Sequence, residues 1–226
     1  MKHNIPALIK TRKLFFISFL FVLVTTVAMM FIYGNNLMVQ HSFWPNVFFV
    51  NYTFMGDAVF AICLAVFFTF YLKRRQQGMV LFYGFFLTEI IVQVIKNIES
   101  FPVPDLFSEQ GQYLFLTDST SSADHTSMIS GHTAIAFSLA TVLIFTLNNS
   151  ITQLSLLIGS VLLAYSRIYL AQHGLVDVLI GAVTGTISAI VAVHIAYQFK
   201  GYGYYYSKFQ RLNNNETSKE MNVRPI

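Results

Sequence analysis

LFFISFLFVLVTTVAMMFIY, residues 14–33, is a run of twenty residues without a charge. At a rise of about 1.5 Å per residue, a helix of that length crosses the roughly 30 Å hydrocarbon core of a bilayer. Lys2, Lys10, Arg12 and Lys13 precede it. A basic flank also opens a signal peptide, but a signal peptide's apolar core is only about 7–15 residues and ends at a small-x-small cleavage site, which is lacking here. The segment therefore reads as an uncleaved signal anchor. Working outward, further apolar stretches at 54–72, 79–95, 133–147, 151–165 and 175–199 predict five more spans, because helices are the way a long apolar chain satisfies its backbone in lipid. The expected architecture is an all-α polytopic membrane protein, a six-transmembrane-helix bundle.

Composition agrees. The chain is 55% hydrophobic and 11% charged, against about 25% charged in soluble domains, which excludes an ordinary cytosolic globule. Cys63 is the one cysteine and lies inside an apolar stretch, so no intrachain disulfide or cysteine metal site can form. No internal repeat divides the chain. The expected organisation is a cytoplasmic N-terminus at 1–13, a six-span membrane domain at 14–199 and a polar, disordered cytoplasmic tail at 200–226.

The net charge of +4 would suit nucleic acid, but its distribution points elsewhere. Lys2, Lys10, Arg12 and Lys13 precede the first span, Lys73, Arg74 and Arg75 follow the second, and Lys200, Lys208, Arg211, Lys219 and Arg224 follow the sixth. All of these fall on one side of a six-span path. The connection at 34–53 has no lysine or arginine, and the connection at 97–132 carries Glu99, Asp105, Glu109, Asp118 and Asp124 without either. By the positive-inside rule both termini are cytoplasmic and the acidic connection faces outward. Tyr33, Trp44 and the 202–206 tyrosine cluster read as interfacial anchors.

Two cations remain, Lys96 at the outer end of the third span and Arg167 at that of the fifth. Two readings fit them: an anion bound between converging cations, or two long side chains snorkelling to headgroup phosphates. Ser130-Gly131-His132 stands at the start of the fourth span, where free backbone N–H groups favour phosphate oxygens and Gly131 permits close approach, although a plain Ser cap explains the same residues. His173 and Asp177 are four apart. That spacing lets the carboxylate hold one imidazole nitrogen and leave the other free as nucleophile or base; a structural His–Asp pair is the alternative. Ser166-Arg167 precedes them, and these four residue types at fixed offsets would arise by chance in roughly one chain in a thousand. Together the cations, the serines, the helix N-terminus and the histidines make a kit for covalent phosphoryl transfer. With no compact cluster of His, Asp and Glu around these cations, the set argues against a metal site. His125 has no partner at a diagnostic spacing. On the third span, Glu89, Gln93 and Lys96 share a helix face, expected to point into the bundle.

These residues resemble the type 2 phosphatidic acid phosphatase family, relatives of the acid phosphatases and vanadium haloperoxidases, known by the motifs K-x6-R-P, P-S-G-H and S-R-x5-H-x3-D. The third motif is complete from Ser166-Arg167 to His173 and Asp177; the second is present as Ile129-Ser130-Gly131-His132, without its proline; the first keeps Lys96 and Pro104 but has Val103 at the arginine position. The resemblance, over roughly residues 54–199, implies that His173 attacks phosphorus to form a phosphohistidine and that Asp177 orients it. His132 would protonate the leaving oxygen and then activate water. Lys96, Ser130, Gly131, Ser166 and Arg167 would hold the phosphate, with no metal or other cofactor. Val103 removes a bidentate phosphate donor and so bears on rate and affinity.

The expected activity is hydrolysis of a lipid phosphate monoester or pyrophosphate at the extracytoplasmic face of a bacterial plasma (inner) membrane. Undecaprenyl pyrophosphate, lipid A, phosphatidate and phosphatidylglycerol phosphate are candidate substrates, and membrane lipids rather than nucleic acid are the partners. The alternatives are a lipid phosphotransferase using the same intermediate and a catalytically silent relative that binds anionic lipid.

Overall fold

The computed structural model describes residues 13–33, 42–98, 129–147, 150–170 and 172–198. Val103, His125, the five acidic residues of the 97–132 connection, the 202–206 tyrosines and the tail lie outside the described residues. Within them every regular element is helical: α1 (Lys13–Tyr33), α2 (Phe43–Thr53), α3 (Ala58–Val66), α4 (Arg75–Ile98), α5 (Gly131–Thr146), α6 (Ser150–Tyr169) and α7 (Leu175–Gln198). A 3-10 turn, Phe54–Gly56, joins α2 to α3, and a π turn, Phe67–Tyr71, ends α3. Lys73 then takes a positive φ of 53°, closing the helical run ahead of Arg74 and Arg75.

Four helices, α1, α4, α6 and α7, are long and apolar enough to cross a membrane, and a fifth candidate is the α2–α3 pair, bent by 61°. α5 has 16 residues; at about 1.5 Å each it covers about 24 Å, short of a full hydrocarbon core. Its composition reflects position rather than length. Residues Thr133 through Thr146 are all buried, because α5 is the central post packed against α4, α6 and α7. A helix enclosed on every side is apolar all round.

α2 falls where the charge pattern predicts an outer loop. Its sequence carries helix signals that the charge count does not weigh: Ser42 is the N-cap, and Pro45 falls in the first turn, where a missing N–H costs no intrahelical bond. Extended backbone at Asp57, with φ −86° and ψ 153°, breaks the helix and makes the bend.

Lipid gives helices no hydrophobic reason to associate, so close packing must hold them together. On α7, Gly181 and Gly185 supply it: a methyl group at Gly181 would lie 2.6 Å from the Ser130 carbonyl oxygen, and one at Gly185 would overlap the Ala134 carbonyl. The absent side chains let α5 and α7 meet backbone to backbone, and that contact sets where the N-terminus of α5 stands. α1 is held more loosely. Phe15 and Phe19 pack on Phe145 and Phe137 of α5, while Ile17, Leu20, Phe21, Phe31 and Ile32 are exposed, as a lipid-facing helix requires. An apolar cavity of about 850 Å³ separates part of α1 from α6 and α7.

Candidate active site

The third motif occupies the α6–α7 junction. Ser166 and Arg167 lie in the last turn of α6, which extends beyond the expected end at 165, and the chain then turns back into α7. The Arg167 carbonyl oxygen accepts the backbone N–H groups of Gln172 at 3.0 Å and His173 at 3.3 Å. This fixes the short connection and the Cα of His173. In the first turn of α7, Asp177 Oδ2 accepts from the Gly174 N–H at 2.9 Å and stands 3.4 Å from His173 Nδ1. The i, i+4 spacing thus brings imidazole and carboxylate together, and the glycine amide anchors the carboxylate as a capping group.

With Nδ1 turned to Asp177, Nε2 is the ring nitrogen that the carboxylate does not engage. Burial pushes the His173 pKa below its ordinary 6.5; the Asp177 hydrogen bond and charge oppose this, while the Arg167 and Lys96 charges reinforce it. A neutral imidazole is the nucleophilic form. The same electrostatics bring Lys96, in the last turn of α4, within influence of His173.

The second motif meets the third through the backbone: the Ser130 N–H donates to the Asp177 carbonyl at 3.1 Å. α5 then begins at Gly131 with Ser130 as its N-cap, Ser130 Oγ accepting from the Thr133 N–H at 3.4 Å and bonded to Thr133 Oγ1 at 2.9 Å. His132 is in the first turn. Among the described residues, a methyl group built on Gly131 would meet only Val92 Cγ1, at 3.6 Å, an ordinary van der Waals contact. The dipole of a helix N-terminus favours an anion, and the charges of Arg167 and Lys96 that act on His173 have the matching sign.

Two of the expected phosphate ligands are otherwise engaged. Ser166 is fully buried and donates to the Leu163 carbonyl at 2.6 Å, and Ser130 is fully buried in its cap. Gln93, expected to point inward, is exposed and donates to Glu89 Oε1 at 2.8 Å. The buried face of α4 runs instead through Leu81, Gly84, Phe85, Thr88 and Val92, with Thr88 bonded to Ser138 of α5 at 2.9 Å. One residue that sequence reasoning missed is Thr53, whose Oγ1 accepts from Arg167 Nη1 at 3.1 Å. No spacing signal links residues 114 apart.

With this geometry in view, comparison with known proteins identifies relatives. The family model of the PAP2 superfamily matches residues 77–200. LpxE of Aquifex aeolicus, known from a crystal structure, is similar over 69% of this chain and 88% of its own, with 26% identity and a TM-score of 0.58. No curated protein matches the chain.

Proposed function

The chain belongs to the PAP2 superfamily, and from that membership we propose that it is an integral membrane phosphatase that hydrolyses a lipid phosphate monoester or pyrophosphate at the extracytoplasmic face. The observation that carries the proposal is the buried His173–Asp177 pair, joined through the Ser130 amide to a helix N-terminus and set under the charges of Arg167 and Lys96. His173 Nε2 attacks phosphorus, an N–P bond forms and the P–O bond to the lipid breaks. His132 gives its proton to the departing oxygen. Water then attacks the phosphohistidine, His132 takes a proton from it, and the N–P bond breaks to release inorganic phosphate. Arg167, Lys96 and the amides at the start of α5 stabilise charge on the phosphoryl oxygens, and Ser130 and Ser166 shape the cradle. No cofactor is assigned.

The proposed membrane path counts α1, the bent α2–α3 pair, α4, α5, α6 and α7 as six spans within a membrane domain at 14–199, with residues 1–13 and 200–226 cytoplasmic. The distribution of lysine and arginine supports this orientation and an outward-facing site, and the likeness to LpxE of Aquifex aeolicus supports placing it in a bacterial plasma membrane. Candidate substrates are undecaprenyl pyrophosphate, lipid A, phosphatidate and phosphatidylglycerol phosphate. Phosphate release from this panel by purified protein, with and without EDTA, tests the proposal. Release unaffected by EDTA is expected. Label appearing in an added acceptor lipid would identify a phosphotransferase, and no release from any substrate would leave the silent anionic-lipid-binding reading.

A further inference from the structure

Arg167 does not stand on the third motif alone. Its guanidinium Nη1 donates to Thr53 Oγ1 at 3.1 Å, and both residues are buried, Thr53 at 8% exposure and Arg167 at 6%. Thr53 ends α2, which precedes the region matched by the family model. The turn that follows reaches the second motif as well: a methyl group at Gly56 would lie 2.6 Å from the His132 carbonyl oxygen and 3.0 Å from His132 Cβ. One short turn therefore touches both the arginine and the histidine of the candidate site. α2 is itself fastened to α6, through Tyr169 Oη donating to Asn46 Oδ1 at 2.6 Å and Tyr52 Oη donating to the Gly159 carbonyl at 3.0 Å, with Phe49 packed on Tyr165 and Tyr169.

We infer that Thr53 is a positioning residue for phosphate binding, holding the Arg167 guanidinium in place through a neutral acceptor; the inference rests on the phosphatase reading above. The chemistry of the acceptor matters. A carboxylate at this place would fix the guanidinium too, but would cancel much of the charge that a phosphoryl group needs. A hydroxyl orients one N–H without itself adding a negative charge. Orientation counts because arginine's long side chain has many rotamers, and a donor already aligned loses less freedom when the anion arrives.

The test uses the full chain in detergent, with vanadate as the five-coordinate phosphorus mimic. Three readouts are taken: the vanadate inhibition constant, kcat/KM on a lipid phosphate, and the rise in unfolding temperature that vanadate causes, which needs no turnover. Thr53→Val should weaken vanadate inhibition and lower kcat/KM by about tenfold each, the scale of one hydrogen bond to a charged group. Thr53→Ser, which keeps the hydroxyl, should stay within about threefold of wild type. Thr53→Asp, which keeps an acceptor but adds a negative charge, should lose more vanadate affinity than Thr53→Val, and it decides the question if Thr53→Val does not fold. A merely structural threonine would lower the unfolding temperature and leave the vanadate constant of the folded protein unchanged. Wild-type vanadate affinity in Thr53→Val or Thr53→Asp, or a loss in Thr53→Ser equal to that in Thr53→Val, overturns the inference while the phosphatase reading stands. A wild-type protein that neither releases phosphate nor responds to vanadate sinks that reading and this inference with it.

Discussion

Replacing Asp177 by Ala removes two contacts and one charge at the candidate nucleophile. In the wild type Oδ2 accepts from the Gly174 N–H at 2.9 Å and faces His173 Nδ1 at 3.4 Å. Both contacts are made by one oxygen, so alanine leaves the Gly174 N–H and Nδ1 without that partner, and the carboxylate no longer holds the ring proton on Nδ1 and the lone pair on Nε2. Removing a hydrogen bond to a charged group costs about 1.5–3 kcal/mol. At about 1.36 kcal/mol per decade, kcat/KM should fall between about tenfold and about 150-fold. The pH profile gives a second, independent sign. Burial lowers the His173 pKa and Asp177 raises it, so loss of the carboxylate lowers it further. The imidazole stays neutral to lower pH, and the acid limb of kcat/KM moves to lower pH although the maximum rate falls. Comparing variant with wild type on one substrate cancels the ionisation of the substrate phosphate. A variant with undiminished kcat/KM, or with its acid limb unmoved or shifted upward, would refute the orienting role of Asp177.

Two further predictions follow from packing. Gly185→Ala sets a methyl group against the Ala134 carbonyl and should lower the unfolding midpoint, as overpacking costs about 1–3 kcal/mol. Gly131→Ala, with Val92 Cγ1 at 3.6 Å as its nearest neighbour among the described residues, should unfold like wild type yet weaken vanadate inhibition by crowding the oxyanion at the helix start. A vanadate constant left unchanged would show that the phosphate does not lie there. Glu89→Gln should keep kcat/KM within about threefold of wild type, since the Gln93 bond needs only an amide oxygen and residue 89 lies about 10 Å of helix rise below Lys96. Complete loss of turnover in folded Glu89→Gln protein would mean that the site has been misplaced.

Local spacing is the most legible feature of the sequence. The four-residue step from His173 to Asp177 becomes a contact because the capped start of α7 presents both on one turn, and Glu89 and Gln93 are likewise bonded as their spacing implies. Which way that second pair faces is not legible. Periodicity alone cannot tell that Gly84 and Thr88, rather than Glu89 and Gln93, turn toward α5, because the choice is made by the small residues that let the two helices close up. α2 is hidden for a different reason. A connection with no lysine or arginine reads as an outer loop by charge, whereas Ser42 and Pro45 start a helix there. The bond from Arg167 to Thr53 depends on how α2 docks on α6, and a tertiary contact between residues so far apart leaves no pattern in one sequence. Span count is blurred by burial, since α5 is apolar as a central helix must be, whatever its length.

The central claim is covalent: phosphate passes through His173 Nε2. Purified protein mixed with a lipid phosphate labelled at phosphorus and quenched in alkali should carry label that is stable in base and lost in acid. Digestion should place it on the peptide containing His173, and His173→Ala should carry none and show no turnover. An active wild-type enzyme that never acquires such label, or a His173→Ala protein that turns over at the wild-type rate, would contradict the account.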